Sequence, residues 1–209
     1  SNINRPDAGL YHLPYIQLIN ENKILLGITN IHSRFGHISI LQYLSAIYNN
    51  NYFPIESIVL PPAILAGAIF LYFFSFMDKK FNYFELKVYV CLITIYSLYS
   101  LNRYSSFGND ATSHLLCFLL TIIFLQKNFK IQNIDNFSVI SIISTYLFMQ
   151  KTFMILLPVV CFSFYIFYLL KENIYKNIKI LFSILLIFSW IIKNILVSGC
   201  AIFPISLSC

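Results

Sequence analysis

Residues 57–76, SIVLPPAILAGAIFLYFFSF, form a run of twenty residues without a charged side chain. At the helical rise of roughly 1.5 Å per residue, a helix of this length spans about 30 Å. That distance matches the hydrocarbon thickness of a lipid bilayer. The stretch therefore predicts a transmembrane helix.

Five further apolar runs follow the first one along the chain. They cover residues 84–101, 111–126, 138–150, 153–170 and 180–197. The run at 138–150 is short, and a segment of about 10 to 14 apolar residues is often re-entrant or buried. We therefore expect an all-α integral membrane protein with about six transmembrane or membrane-dipping helices.

The composition agrees with a chain that is solvated by lipid. Of the 209 residues, 58% are hydrophobic and 11% are charged, whereas roughly a quarter of the residues in soluble domains are charged. Although the formal net charge is +6, the basic residues are scattered among apolar runs and form no basic stripe. This pattern excludes nucleic acid as a partner and makes the lipid bilayer the expected one.

The first 54 residues are expected to form an outer loop that contains two amphipathic helices. Residues 15–26 and 37–48 place apolar side chains at helical spacing, which is typical of helices that lie on a membrane surface. Their apolar residues are Tyr15, Leu18, Ile19 and Leu26, and Ile40, Leu44, Ile47 and Tyr48. Residues 55–209 are expected to form the transmembrane bundle of a longer protein.

The basic residues between the apolar runs predict the orientation of the chain. Eight of them cluster in three loops, and such loops tend to stay cytoplasmic. They are Lys79, Lys80, Lys87, Lys127, Lys130, Lys171, Lys176 and Lys179. The opposite side then holds residues 1–54 and all four histidines, so the active side is expected to face outward.

The five cysteines contain no C-x-x-C pair. Cys91, Cys117 and Cys161 lie inside apolar runs, and the remaining two are Cys200 and Cys209. The spacing indicates neither a disulfide framework nor a zinc site.

The first group of candidate site residues is Asp7-Ala8-Gly9-Leu10-Tyr11-His12. An outward-facing Asp7 could act as the base toward an acceptor hydroxyl, or could hold a metal ion that bridges donor phosphates. The alternative is structural, since an acidic residue also stabilises the first turn of a helix.

The second group is the segment GITNIHSRFG at residues 27–36, which is flanked by glycines and polar at every second position. An extended backbone would point Asn30, His32 and Arg34 to one side. Such an array could bind a pyrophosphate or a sugar, with arginine as a forked donor. The alternative is a polar loop between surface helices.

The third group lies between Arg103 and His114, where Asp110 precedes a short apolar run. Asp110 is a suitable N-cap for the helix that follows. Capping and a role in the site can coexist.

The fourth group contains Lys151 and Lys193, which lie at the outer ends of apolar runs. A lysine within such a run is costly unless it snorkels, pairs or faces a wet cavity. The phosphate of a lipid carrier is a natural partner, and snorkelling to the interface is the alternative.

These residues carry a resemblance to an uncharacterised bacterial membrane family that is similar to the GT-C superfamily of glycosyltransferases. The resemblance covers nearly the whole chain. Its motifs are Asp7-x-Gly9-x-Tyr11-His12, Gly27-x-x-Asn30-x-His32-x-Arg34-x-Gly36, and Lys193-Asn194 with Ser198-Gly199 and Pro204.

The resemblance implies transfer of a sugar, with inversion, from a polyprenyl-phosphate-linked donor to a glycan or glycolipid acceptor of the cell envelope. It places the protein in the bacterial inner membrane with its active side outward. Asp7 and His12 become the catalytic candidates. The implied substrate contacts are Tyr11, Asn30, His32, Arg34, Arg103, Asp110, Lys151 and Lys193.

A divalent metal, Mg²⁺ or Mn²⁺, is a further implication, with Asp7 and Asp110 as its ligands. Many members of the superfamily have paired acids, whereas Asp7 has no acidic neighbour, which leaves metal dependence open. Two other functions stay open as well. One is a transporter or flippase of a lipid-linked saccharide, and the other is an envelope glycan polymerase or ligase.

Overall fold

A computed structural model describes residues 8–21, 25–37, 39–50, 52–78, 84–100, 110–126, 134–172 and 178–209. Every regular element in these ranges is helical, and the only β-type contact among them is an isolated bridge between Asn50 and Phe53. The all-α fold class is thereby confirmed.

Two short and six longer α-helices follow one another along the described chain. The short ones are α1 (Leu13–Glu21) and α2 (Ile40–Ile47). The longer ones are α3 (Leu60–Asp78), α4 (Phe84–Ser100), α5 (Asp110–Gln126), α6 (Ile134–Gln150), α7 (Leu156–Glu172) and α8 (Ile178–Ser198). Each of the six predicted apolar runs corresponds to one of these longer helices.

The amphipathic segments of the first 54 residues are helical in part. A π-helix at Ala8–His12 leads into α1, and α1 ends five residues before the end of the predicted helix at residue 26. The chain turns at Gly27, whose φ of 61° lies in the left-handed region, so a right-handed helix does not continue there. The second segment matches α2.

Helix α2 buries the side opposite to its apolar stripe. Leu41, Gln42, Ser45 and Ala46 are buried, whereas Leu44 and Ile47 of the stripe are exposed. Leu44 and Ile47 therefore point away from the protein, whereas the polar side chain of Gln42 lies in the interior.

The described residues divide into two compact units. The first comprises residues up to 23 together with 41–126, and the second comprises residues 24–40 and 127–209. In the first unit α3, α4 and α5 pack against one another. The Tyr72 hydroxyl donates a hydrogen bond to Gln126 Oε1 (3.1 Å), which links α3 to α5. A small core of Ile16, Ala46 and Ile58 joins α1, α2 and the 3₁₀ turn before α3.

In the second unit α6 packs against both α7 and α8. Ser138, Ser141, Ser144 and Thr145 of α6 are completely buried, and such small side chains allow neighbouring helices to approach closely. Two 3₁₀ helices, Ile28–Asn30 and Ser33–His37, pack against α8. Residues 27–37 are called the capping loop below.

Two helical stretches are long and apolar enough to cross a membrane. They are Ile55–Asp78, which includes α3, and Ile178–Ser198, which is α8. The other long helices of the described chain do not reach the length of these two. Asp110–Gln126 is one of the shorter helices that are also apolar.

Candidate functional site

The candidate residues named from the sequence fall into three sets. Asp7 and Arg103 lie outside the described residues. Tyr11, His12 and Asp110 belong to the first unit. The second unit contains Asn30, His32, Arg34, Lys151 and Lys193.

His12 is the last residue of the π-helix and lies directly before α1. Single turns of π-helix occur frequently at functional sites. The His12 side chain is only 7% exposed, and its Nδ1 atom lies 2.7 Å from Nε2 of Gln42 on α2. The Tyr11 ring lies beside the imidazole, with 4.2 Å between ring centroids. The imidazole is therefore held between the start of α1 and the buried side of α2.

A second polar contact joins the same two helices. The hydroxyls of Tyr15 and Tyr43 are 3.0 Å apart, and the two rings meet edge to face. Burial is the main reason that the pKa values of both phenols are raised, and the neighbouring Tyr43 raises that of Tyr15 further. Both side chains therefore act as neutral hydrogen-bonding groups.

Gln42, Tyr15 and Tyr43 were not among the residues named as site candidates from the sequence. The signal for Gln42 lies in the spacing of residues 42, 45 and 46, which share one side of a helix. That side carries Gln, Ser and Ala. It was not predicted to be the buried side, because the more apolar stripe lies on the opposite side of α2.

Asp110 is the first residue of α5 and is exposed. An acidic side chain in the first turn stabilises a helix through its interaction with the helix dipole. The position of Asp110 at the start of α5 fits a residue that stabilises this helix end. Its exposed side chain is also compatible with a role in the site.

The capping loop is not extended, so the one-sided array that an extended backbone would give residues 27–36 is not formed. The left-handed backbone at Gly27 starts a tight turn, and two 3₁₀ helices follow it. Asn30 and Arg34 are exposed, and His32 is partly buried. His32 and Arg34 remain close, because the Arg34 backbone N–H donates to His32 Nδ1 (3.2 Å).

The capping loop binds the carboxyl end of α8. The last carbonyls of a helix have no partner within the helix. The Gly27 N–H donates to the Leu196 carbonyl (3.0 Å), and the Thr29 hydroxyl approaches the Val197 carbonyl (3.5 Å). Gly199, with φ of 74°, donates to the Ile195 carbonyl (2.8 Å), which is the left-handed helix end that glycine favours.

The residues after α8 fold back on themselves. Asn194, which is 2% exposed, donates to the Ala201 carbonyl (3.1 Å). The Ala201 N–H donates to the Ser208 carbonyl (2.9 Å). These bonds bring the two ends of the segment at residues 199–209 together.

A disulfide joins Cys200 to Cys209, contrary to the expectation from the cysteine spacing. The two cysteines are nine positions apart in the sequence, and they belong to no short motif that would predict their pairing. It depends on the backbone bonds that fold this segment back. Cys91, Cys117 and Cys161 are free.

Phe203 connects this segment to the capping loop. Its ring packs against Gly36 and lies edge to face with the His37 imidazole, at 5.0 Å between centroids. Burial and, secondarily, the charge of Arg34 lower the pKa of His37. Two of the sequence motifs, Gly27–Gly36 and Lys193–Pro204, are thus in contact although they lie far apart in the chain.

Two lysines of the second unit lie against aromatic rings. The Lys193 Nζ atom is buried, 3.6 Å from the Trp190 ring centroid, and Lys151 Nζ lies 5.6 Å from that of Phe153. A cation over an aromatic face is stabilised electrostatically. Lys151 directly follows α6, and Lys193 lies near the carboxyl end of α8.

No group of three or more His, Cys, Asp or Glu residues that could hold a metal ion occurs among the described residues. Of the two metal ligands implied by the resemblance, Asp110 is described and Asp7 is not.

The described part of the chain is all-helical, and two of its helices are long and apolar enough to cross a membrane. It belongs to the family named Domain of unknown function (DUF8201), which matches residues 1–209. No curated protein and no solved structure is significantly similar to it.

Proposed function

We propose that this chain crosses the bacterial inner membrane several times. The observation that supports this is the exposure of its two longest apolar helices. Only 17% of the apolar window of the first and 28% of the second is buried inside the protein, whereas the core helix of a soluble protein is mostly buried. Lipid is the solvent that tolerates such surfaces.

Exposed side chains along α8 illustrate the argument. Phe182, Leu185, Phe188 and Ile192 are each more than 40% exposed. Large contiguous apolar surface is rare on soluble monomers. The remaining long helices α4 to α7 complete the proposed bundle of about six membrane-crossing or membrane-dipping segments, and the exposed stripe of α2 suits a helix in the interface.

The carboxyl end of α8 is proposed to face outward. Disulfides persist in oxidising compartments and are rare in the cytosol, and the Cys200–Cys209 bond follows this end directly. The capping loop, which binds the same helix end, shares its side. This agrees with the orientation predicted from the clustered lysines.

The proposed activity is glycosyl transfer from a polyprenyl-phosphate-linked sugar to an acceptor hydroxyl of an envelope glycan or glycolipid. Asp7 takes the proton of the hydroxyl as its oxygen attacks the anomeric carbon. The bond between that carbon and the phosphate oxygen breaks, and the phosphate leaves with its negative charge. Cationic side chains stabilise that charge electrostatically.

The proposed phosphate contacts are Arg34, Arg103, Lys151 and Lys193, of which Arg103 lies outside the described residues. Arg34 is exposed on the capping loop, and this loop binds the end of α8 near which Lys193 lies. The contact between the motif segments Gly27–Gly36 and Lys193–Pro204 supports the proposal, because both segments belong to the resemblance to an uncharacterised membrane family that is similar to the GT-C superfamily. Asn30 and His32 are the proposed sugar contacts on the same loop.

The activity is tested with Asp7→Asn in the full-length protein, with donor and acceptor both supplied on the outer side. We expect transfer to fall by roughly 10²-fold to 10⁴-fold, the range that a general base contributes. Asp78→Asn, an exposed acid at the end of α3, is the matched control and should keep full activity. Unchanged transfer in Asp7→Asn would remove Asp7 from the mechanism. Movement of the intact lipid-linked saccharide without sugar transfer would instead identify a flippase.

The orientation is tested by labelling single cysteines in intact cells after Cys91, Cys117 and Cys161 are replaced by alanine. Ser33→Cys, on the exposed capping loop, should react with a membrane-impermeant maleimide. Asp78→Cys should react only after the membrane is permeabilised. Labelling of both positions from one side would contradict the proposed orientation.

A further inference from the structure

In the hydrogen bond between His12 and Gln42, the donor and the acceptor can be assigned. The atom of Gln42 that faces the imidazole is the amide nitrogen, 2.7 Å from His12 Nδ1. An amide nitrogen donates hydrogen bonds and does not accept them. Nδ1 must therefore accept, and a neutral imidazole that accepts at Nδ1 carries its proton on Nε2.

Both side chains are buried, which favours this arrangement of donor and acceptor. His12 is 7% exposed and Gln42 is 5% exposed, so water competes little for their hydrogen bond. Tyr43 directly follows Gln42 on α2, and Tyr15, on α1, lies three residues after His12. The bond between the hydroxyls of Tyr43 and Tyr15 therefore joins α2 to the start of α1 a second time. Two adjacent cross-helix contacts restrict sliding and rotation of α2 against the start of α1.

We propose that Gln42 is a positioning residue that holds His12 in its Nε2–H tautomer. The catalytic consequence rests on the proposed function. A histidine in this tautomer offers an N–H donor at Nε2 and no basic nitrogen there. His12 then donates a hydrogen bond to a phosphate or sugar oxygen of the donor substrate, and proton removal from the acceptor is left to Asp7.

The tautomer is measured without any transfer assay. The full-length protein is labelled with ¹⁵N-histidine and examined by NMR in detergent micelles. The spectrum of the His12→Gln variant identifies the His12 signals among those of the other histidines. The couplings of the ring protons distinguish Nδ1 from Nε2, and the ¹⁵N shift of each reports whether it is protonated. We expect an unprotonated Nδ1 and a protonated Nε2.

The role of Gln42 is tested by reversing the polarity of its side chain. A carboxylate accepts hydrogen bonds and cannot donate them when ionised, so Gln42→Glu should move a proton onto Nδ1. Gln17→Glu is the matched control, because Gln17 is exposed on α1 and bonds to Glu21. Its spectrum should show the wild-type tautomer at His12.

Two NMR results would overturn the proposal. One is a protonated Nδ1 and a bare Nε2 in the wild-type protein, since the Gln42 amide would then face His12 with its oxygen. The other is an Nδ1 that stays unprotonated in a folded Gln42→Glu variant. If that variant does not fold, the wild-type spectrum alone decides the tautomer.

The catalytic consequence is tested by two substitutions of His12. Glutamine keeps an N–H donor near the position of Nε2 and cannot take a proton, whereas leucine removes the donor. We expect His12→Gln to retain more transfer than His12→Leu by a factor on the order of ten to a hundred. Equal losses would overturn the donor role. If the wild-type protein transfers no sugar, the proposed function fails, and the NMR result still decides the tautomer.

Discussion

Phe203 lies so close to Gly36 that a Cβ atom on residue 36 would sit 2.6 Å from the Cδ1 and Cε1 atoms of the ring. Real Cβ atoms essentially never approach another heavy atom within 3.0 Å. Only glycine therefore allows the capping loop to lie against the segment that follows α8. The contact explains why a glycine ends the motif at residues 27–36.

Gly36→Ala should destabilise the protein by about 1–3 kcal/mol, the usual cost of overpacking a tight contact. Denaturant unfolding in micelles measures the change. The control is Gly67→Ala in α3, where an added Cβ meets nothing within 4 Å. Adding Phe203→Leu should recover part of the loss, because a smaller side chain makes room for the methyl group. Equal stability of the two alanine variants would contradict the described contact.

The Cys200–Cys209 bond should resist alkylation before reduction. Mass spectrometry of the unfolded protein should find Cys91, Cys117 and Cys161 alkylated without reductant, and Cys200 and Cys209 alkylated only after reduction. Cys200→Ser should lower the free energy of unfolding by about 3 kcal/mol, as the chain-entropy relation gives for a loop of this length. Cys91→Ser, at an exposed free cysteine, is the control. Alkylation of Cys200 and Cys209 without reductant would show that the bond does not form.

Stability should decrease in mild acid because of His37. Burial, followed by the charge of Arg34, lowers its pKa below the ordinary value of 6.5, so the folded protein disfavours the protonated ring more than the unfolded chain does. The stabilisation is therefore present above that ordinary value and is lost as the pH falls through the lowered pKa.

Thermal unfolding between about pH 7.5 and pH 5 tests the role of His37. His37→Gln should show a smaller decrease in the unfolding midpoint than the wild-type protein. Arg34→Gln should lie between the two, because it removes only the second cause of the pKa shift. A His37→Gln variant with the full wild-type decrease would assign the acid sensitivity to other groups.

The Tyr15–Tyr43 bond should contribute about 1 kcal/mol, the typical net value of a hydrogen bond within a protein. Tyr15→Phe and Tyr43→Phe each remove one of the two hydroxyls, and the double variant completes a thermodynamic cycle. We expect the second substitution to cost less than it does alone. Strictly additive losses would show that the two hydroxyls do not interact.

The long helices could be predicted from the sequence because uninterrupted apolar runs define them without reference to tertiary contacts. The prediction of 84–101 corresponds to Phe84–Ser100, and 180–197 corresponds to Ile178–Ser198. The prolines at 61 and 62 did not prevent the prediction of α3. They lie in its first turn, where a missing backbone N–H costs little.

The capping loop could not be predicted in the same way. Its polar alternation suits an extended strand, but the left-handed turn at Gly27 and the carbonyls of α8 determine its backbone. Those carbonyls belong to residues far along the chain. The Cys200–Cys209 pair and the burial of Gln42 depend likewise on tertiary contacts, whereas pattern analysis uses only neighbours in sequence.

The bond between Thr29 and Val197 spans 168 residues, which has a consequence for biogenesis. A ribosome makes residues 24–40 long before it makes the end of α8 that they cap. Since synthesis runs at roughly 5–20 residues per second, the capping loop waits for about ten seconds or longer with its final partners still unmade. Synthesis of the capping loop and completion of the second unit are therefore separate events in time, and a truncation before α8 would leave the loop without its binding surface.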